Sequence, residues 1–177
     1  FTSVLASVLH HWCLENNLIH PLQKSLGPHD GCTEHNLLIR AIVDKYENHL
    51  VNMHLHALFM DIEDAFGSIS IDIIISLLSR MGLSIRSCNL IKQLYADCHH
   101  RIICGPLKTE DIAINVGVRQ GCPLSMILFN IGINPMLLLD QILRSGIKIG
   151  NKRICCLAYA DDLVILATDK TSATELA

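Results

Sequence analysis

Ile154-Cys155-Cys156-Leu157-Ala158-Tyr159-Ala160-Asp161-Asp162-Leu163-Val164-Ile165-Leu166-Ala167 is the stretch that decides how this chain is read. Its two apolar runs, rich in Ile, Val and Leu, predict two buried strands. Tyr159-Ala160-Asp161-Asp162 then falls at or near the turn of a hairpin. Two adjacent carboxylates among core strands are costly unless something compensates them. A divalent cation is the expected compensation, and it points to metal-dependent chemistry.

A second apolar strand, read over His54 to Met60, ends in another carboxylate, Asp61. On its own Asp61 reads as a strand end that caps the following helical segment. Beside the Asp161-Asp162 doublet it becomes a third acid, and three carboxylates on neighbouring strand ends can hold two Mg²⁺ ions. Arg119-Gln120-Gly121-Cys122-Pro123-Leu124-Ser125 is a polar loop feeding a helix. Backbone amides at a helix start suit phosphates and other anions. The plainer alternative is an ordinary strand-to-helix turn.

The rest of the chain supplies helices and short strands. Helices are expected over Phe1 to Asn17, Asn36 to His49 with Thr33 as N-cap, Ile71 to Met81, and Ser84 to about Asp97. Leu26 to Gly31 reads as a breaker-rich loop. Arg101 to Cys104 and Asp111 to Val116 are expected to form a hairpin through Gly105-Pro106. Pro123 opens a helix to about Leu143, with Pro135 expected to kink it. Lys148-Ile149 and Arg153 to Ala158 read as strands joined through Gly150-Asn151. Strands and helices that mix without strict alternation indicate an α+β fold.

The chain has 177 residues, 50% hydrophobic and 18% charged, enough for one well-buried domain. Its net charge of −3 leaves no basic footprint of the kind that nucleic-acid binding usually requires. The start at Phe1 and the end at Ala177 suggest a piece of a longer chain, so the missing basic surface is expected to lie outside it. No secretory signal is visible, and no uninterrupted apolar run reaches the roughly 18 residues that span a bilayer. The eight cysteines include no CxxC pair. Cys98-His99-His100 has no partner pair at ligand spacing, so reduced, intracellular thiols are expected rather than structural zinc.

Three blocks carry a family resemblance. Asp61-Ile62-Glu63-Asp64-Ala65-Phe66 resembles the first palm motif of reverse transcriptases from non-LTR (LINE-type) retrotransposons. Gly117-Val118-Arg119-Gln120-Gly121-Cys122-Pro123-Leu124-Ser125 resembles the family's second block, and Ala158-Tyr159-Ala160-Asp161-Asp162 its catalytic hairpin. Gln23 to Leu38 is similar to the segment that precedes the palm in such elements.

The resemblance implies a polymerase palm, a small antiparallel sheet backed by helices, with partial fingers and no thumb. Residues 1–52 would be fingers-side helices and 53–177 palm with some fingers elements. It implies RNA-directed DNA synthesis: dNMP transfer from dNTP to a DNA primer 3′-hydroxyl on an RNA template, with two Mg²⁺ ions or substituting Mn²⁺. Asp61, Asp161 and Asp162 would be the catalytic carboxylates and metal ligands, with the carbonyl of Ile62. Asp64 and Ala65 would lie by the triphosphate, and Phe66 would gate against a 2′-hydroxyl. For Phe66 the plainer alternative is a core aromatic. Gln120 and Gly121 would contact the nucleotide, Tyr159 the primer end, and Arg119 would hold the template or tie its loop down. The parent element would act in the nucleus, with no membrane partner.

The sequence departs from the family pattern at Gly67, where many LINE-type sequences have Asp, and at Met126, where Pro is common. Without the remaining fingers and the thumb, the isolated piece is expected to be inactive. A catalytically inactive remnant that binds RNA or protein is the alternative. A palm-type nucleotidyl cyclase would explain neither Phe66 nor the Arg119–Ser125 loop.

Overall fold

The computed structural model describes residues 1–27, 30–49, 54–114, 116–138 and 146–171. Mixed helices and small antiparallel sheets make up the fold, as the α+β reading expects. Contacts divide the chain into two compact units, one of Phe1–Ala6 with Asp64–Gly132, the other of Ser7–Glu63 with Ile133–Ala177.

The second unit carries the main sheet. β1 (His56–Met60), β8 (Cys156–Tyr159) and β9 (Asp162–Ala167) pair antiparallel in the order β1-β9-β8. Alternation assigns their side chains to two faces. Leu157, Val164 and Leu166 pack with Ile42 and Tyr46 of α2 (Gly31–His49) on one face. Ala158, Leu163 and Met60 pack with Leu137 of α6 (Pro123–Leu138) on the other. With both faces covered, β8 and β9 are the continuous apolar runs their sequence shows. Segment 22–24 lies parallel along β8: Lys24 N donates to Ala158 O (3.0 Å), and Ala158 N to Leu22 O (3.1 Å).

The first unit is built from α3 (Ala65–Ser68), α4 (Ile71–Arg80), α5 (Ile85–Tyr95) and the first part of α6. α4 buries Ile74 and Leu78, and α5 buries Cys88, Ile91 and Tyr95. The helix read from Ser84 starts there: Ser84 is the N-cap of α5, accepting from Ser87 N, and the helix ends at Tyr95. Residues 124 and 127–131 of α6 are all buried, so this part of the helix is enclosed on every side. It continues past Pro135 to Leu138; the expected extension to Leu143 lies outside the described residues. No helix among the described residues is long and apolar enough to cross a membrane.

Four expectations need correction. The cap of α2 is not Thr33, which lies inside the helix. Asp30 stands at its start and accepts from Thr33 N (3.3 Å) and Thr33 Oγ1 (2.7 Å). Gly105-Pro106 does turn the chain, but the partners are β3 (Ile103–Cys104) and β4 (Leu107–Lys108). β5 (Ile112–Ile114) pairs instead with β2 (Cys98–His100), because the tight turn engages the residues directly beside it and leaves the later strand to find an outer partner. The run Arg153 to Ala158 is two strands in different sheets: β7 (Lys152–Ile154) pairs with β6 (Ile147–Ile149), and β8 joins the main sheet. The acidic doublet is also less enclosed than its flanks suggested. Asp161 is half-buried and Asp162 exposed, since both stand at the sheet's end.

Candidate active site

The strand register builds the carboxylate end. Met60↔Leu163 is the last β1–β9 pair, so the next step along both strands brings Asp61 beside Asp162. Tyr159↔Asp162 closes β8 on β9, leaving Ala160 and Asp161 as a two-residue turn. Cross-strand neighbours share a face. Asp61, Asp162 and Tyr159 accordingly line one cleft of about 390 Å³, with Cys32, His35 and Asn36 of α2 opposite. Burial, and then the charge of Lys24, push the His35 imidazole below its ordinary range. The neighbouring Cys32 thiol pushes the Tyr159 phenol above its ordinary range. Asp161, in the turn, does not line the cleft.

Ala160 takes a left-handed backbone, φ 53, at a cost of about 1–2 kcal/mol for an L-residue. Gln23 meets it from across the unit. Ala160 N donates to Gln23 Oε1 (2.9 Å), and Gln23 Nε2 donates to Ala160 O (3.2 Å).

Among the described residues no three His, Cys, Asp or Glu side chains converge as a metal-binding group. The donor chemistry still suits Mg²⁺, which is commonly held by one or two carboxylates, with water and substrate phosphates completing its octahedron. Asp61 and Asp162 are exposed hard-oxygen donors on adjacent strands. Like charges so placed repel, and a cation between them would offset that repulsion. Ile62 sets its side chain into the cluster around Leu137, Ala158 and Leu163.

The other predicted residues lie in the first unit. Asp64 has a left-handed backbone, φ 45 and ψ 47, and leads into α3. Its carboxylate lies where a Cβ on Gly67 would be. Ala65 is buried. Phe66 is half-buried and stacked on Phe129, with ring centroids 4.8 Å apart and planes 15° from parallel. Val118 N donates to Phe66 O (2.7 Å), bringing the 117–121 loop against this turn. Gly117 permits the approach, since a Cβ there would lie 2.7 Å from Gly67 Cα. Arg119 turns back on α5: it donates to Leu94 O, its Nε lies 3.0 Å from Cys98 Sγ, and it covers the Tyr95 ring. Gln120 and Gly121 are exposed. Tyr95 OH meets Ser125 Oγ at 3.0 Å, and burial raises this phenol to about 12.

A family-wide sequence profile described as "Reverse transcriptase (RNA-dependent DNA polymerase)" matches residues 2–177. The chain belongs to the reverse transcriptase family. Its similarities fall among non-LTR retrotransposon proteins, as the three blocks suggested. It is 33% identical over 150 residues to the "Retrovirus-related Pol polyprotein from type-1 retrotransposable element R2" of Popillia japonica, covering 84% of this chain and 21% of that protein. The R2 polyprotein of Nasonia vitripennis is 30% identical over 158 residues, 86% of this chain and 15% of that protein. The "Transposon TX1 uncharacterized 149 kDa protein" of Xenopus laevis is 29% identical over 154 residues, 86% of this chain and 12% of that protein. This reverse transcriptase chain thus spans about a fifth or less of the length of these relatives.

Of the residues read from sequence, Asp61, Asp162 and Tyr159 meet at the cleft, with Asp161 in the adjoining turn. Phe66, with Gly67 beside it, meets the 117–121 loop at Gly117 and Val118, and Asp64 and Ala65 lead into that turn. Sequence reasoning missed Gln23 as a contact of the turn. The available signal was its place at the head of the segment similar to the stretch preceding the palm.

Proposed function

We propose that this chain is the palm, with part of the fingers, of an RNA-directed DNA polymerase that transfers a dNMP from dNTP to a DNA primer 3′-hydroxyl opposite an RNA template. Residues 1–52 belong to the fingers side in this reading and 53–177 mainly to the palm. The observation that carries it is the register that sets Asp61 beside Asp162 at the sheet's end, with Asp161 in the connecting turn. Asp61, Asp161, Asp162 and the Ile62 carbonyl are the groups that would hold divalent ions. Bound Mg²⁺, or Mn²⁺ in its place, supplies activation of the 3′-hydroxyl and charge neutralisation at the leaving pyrophosphate.

The protein's own residues bind and orient. Tyr159, at the lip of the cleft, meets the primer end. The backbone amides of Asp64 and Ala65 face the triphosphate, and an amide-rich turn suits such an anion. Phe66 blocks a 2′-hydroxyl with the ring edge that its stack on Phe129 orients. Gln120 and Gly121 meet the nucleotide. Arg119 acts through its loop, because its donors go to Leu94 at the end of α5 and to Cys98 at the start of β2.

Primer extension on an RNA template by the full-length protein tests the reading. Asp161→Ala and Asp61→Asn are each expected to remove detectable incorporation while the protein stays folded. Mg²⁺-dependent synthesis near the wild-type level in either variant would overturn it.

A further inference from the structure

Ala160 is the hinge on which Asp161 hangs, and the two-residue turn gives its main chain no ladder partner. Both of its polar backbone groups are met by one side chain, that of Gln23. We infer that Gln23 is a positioning residue for nucleotidyl transfer, a clamp that fixes the catalytic turn through the backbone of Ala160. The inference rests on the polymerase reading above.

Three features make the clamp rigid. Gln23 is buried, so its amide does not exchange partners with solvent. Its Oε1 also accepts from Ser25 N (3.2 Å) and Ser25 Oγ (2.8 Å). An oxygen that takes those donors as well as Ala160 N–H fixes the flip of the amide, and Nε2 must then face Ala160 O. The main chain around it is bonded to Ala158 on both sides, through Leu22 O and Lys24 N.

The segment is anchored at its other end too. Asn134 of α6 accepts from His20 N at Oδ1 (2.8 Å) and donates from Nδ2 to Leu18 O (2.9 Å). Residues 18–25 form a strut: one buried amide holds it, and through another it holds the turn.

The consequence for chemistry follows from Ala160's conformation. An L-residue in the left-handed region reverts to commoner backbone angles unless its surroundings hold it. Any such change swings Asp161, the next residue. Displacement of a catalytic group by about 1 Å can lower a rate by around 100-fold.

The test uses the full-length protein and Gln23→Glu, which keeps shape but puts a carboxylate oxygen against Ala160 O. Single-nucleotide incorporation on an RNA template is expected to fall about 10- to 100-fold in kcat, with KM for dNTP within about twofold, since the change acts on the reacting geometry. Hydrogen exchange at the Ala160 amide is expected to quicken at least about tenfold, with β9 amides unchanged. Unchanged kcat, or unchanged exchange at Ala160, overturns the clamp. Should Gln23→Glu not fold, Gln23→Met repeats both measurements. Loss of protection throughout β8 and β9 in both variants would make Gln23 a general stabiliser and overturn the positioning role. Wild-type protein without incorporation, or an active Asp161→Ala, would defeat the polymerase reading instead, and the exchange measurement would still judge the clamp.

Discussion

Asp64 in one unit and Ala160 in the other both hold a left-handed backbone beside candidate site residues, with φ 45 and φ 53, yet they are held in opposite ways. Asp64 is held locally. Its carboxylate lies over Gly67, and its carbonyl accepts from Ser68 N at 2.8 Å. Ala160 is held by Gln23, 137 positions away. A local hold forms with the turn itself. A remote one exists only after distant segments have met, and loop closure must come first. The turn that carries Asp161 therefore inherits its geometry from the completed unit, whereas the Asp64 turn carries its own.

The largest expected effect would break the local side of this comparison. Gly117 has φ 96, and an added Cβ would meet Gly67 Cα and O at 2.7 Å and Phe66 O at 2.8 Å. All are backbone atoms with no rotamer to retreat into. Gly117→Ala is expected to cost about 3 kcal/mol in denaturant unfolding; a loss below half of that would mean the two backbones can part. Next comes the remote side. Ala160→Val puts a β-branched residue at φ 53 and is expected to cost about 2 kcal/mol. Ala160→Gly should stay within about 0.5 kcal/mol of wild type, because relief of the backbone offsets the freer unfolded chain. If both variants unfolded alike, the backbone strain assigned to Ala160 would be absent.

Tyr95→Phe removes the 3.0 Å bond to Ser125 and is expected to cost about 1 kcal/mol, read from the same unfolding curves. The smallest effect is expected at Gly67→Ala, below about 1 kcal/mol, since only the end of the Asp64 side chain must move aside. If Gly67→Ala proved as damaging as Gly117→Ala, the Asp64 carboxylate would be fixed rather than adaptable.

What the sequence reveals follows the same division. The β8–turn–β9 hairpin is legible because continuous Ile, Val and Leu runs mark strands covered on both faces, as α2 and α6 cover them. The start of α5 at Ser84 and the end of α4 before Gly82 are legible because they are decided within a few residues. The pairing of Ile112–Ile114 with Cys98–His100 is not, because Gly105-Pro106 specifies a turn and says nothing of the strand beyond it. Thr33 and Asp30 both have capping side chains, and the end of the helix path alone decides between them. The acids Asp61, Asp161 and Asp162 stand out by charge in apolar surroundings. Gln23 does not, because an uncharged polar residue carries no such contrast and its partner is remote in the chain.

Both ends of the strut that reaches the turn, Asn134 and Gln23, hold with carboxamides, which carry no charge and no proton to lose near neutrality. Ionic strength screens charges, and it weakens a polymerase's grip on phosphates steeply. It leaves a neutral amide clamp untouched. If the proposed polymerase reading holds, activity lost on adding salt would thus report departure of template and primer from a centre whose geometry persists, and dilution back to low salt should restore it at once.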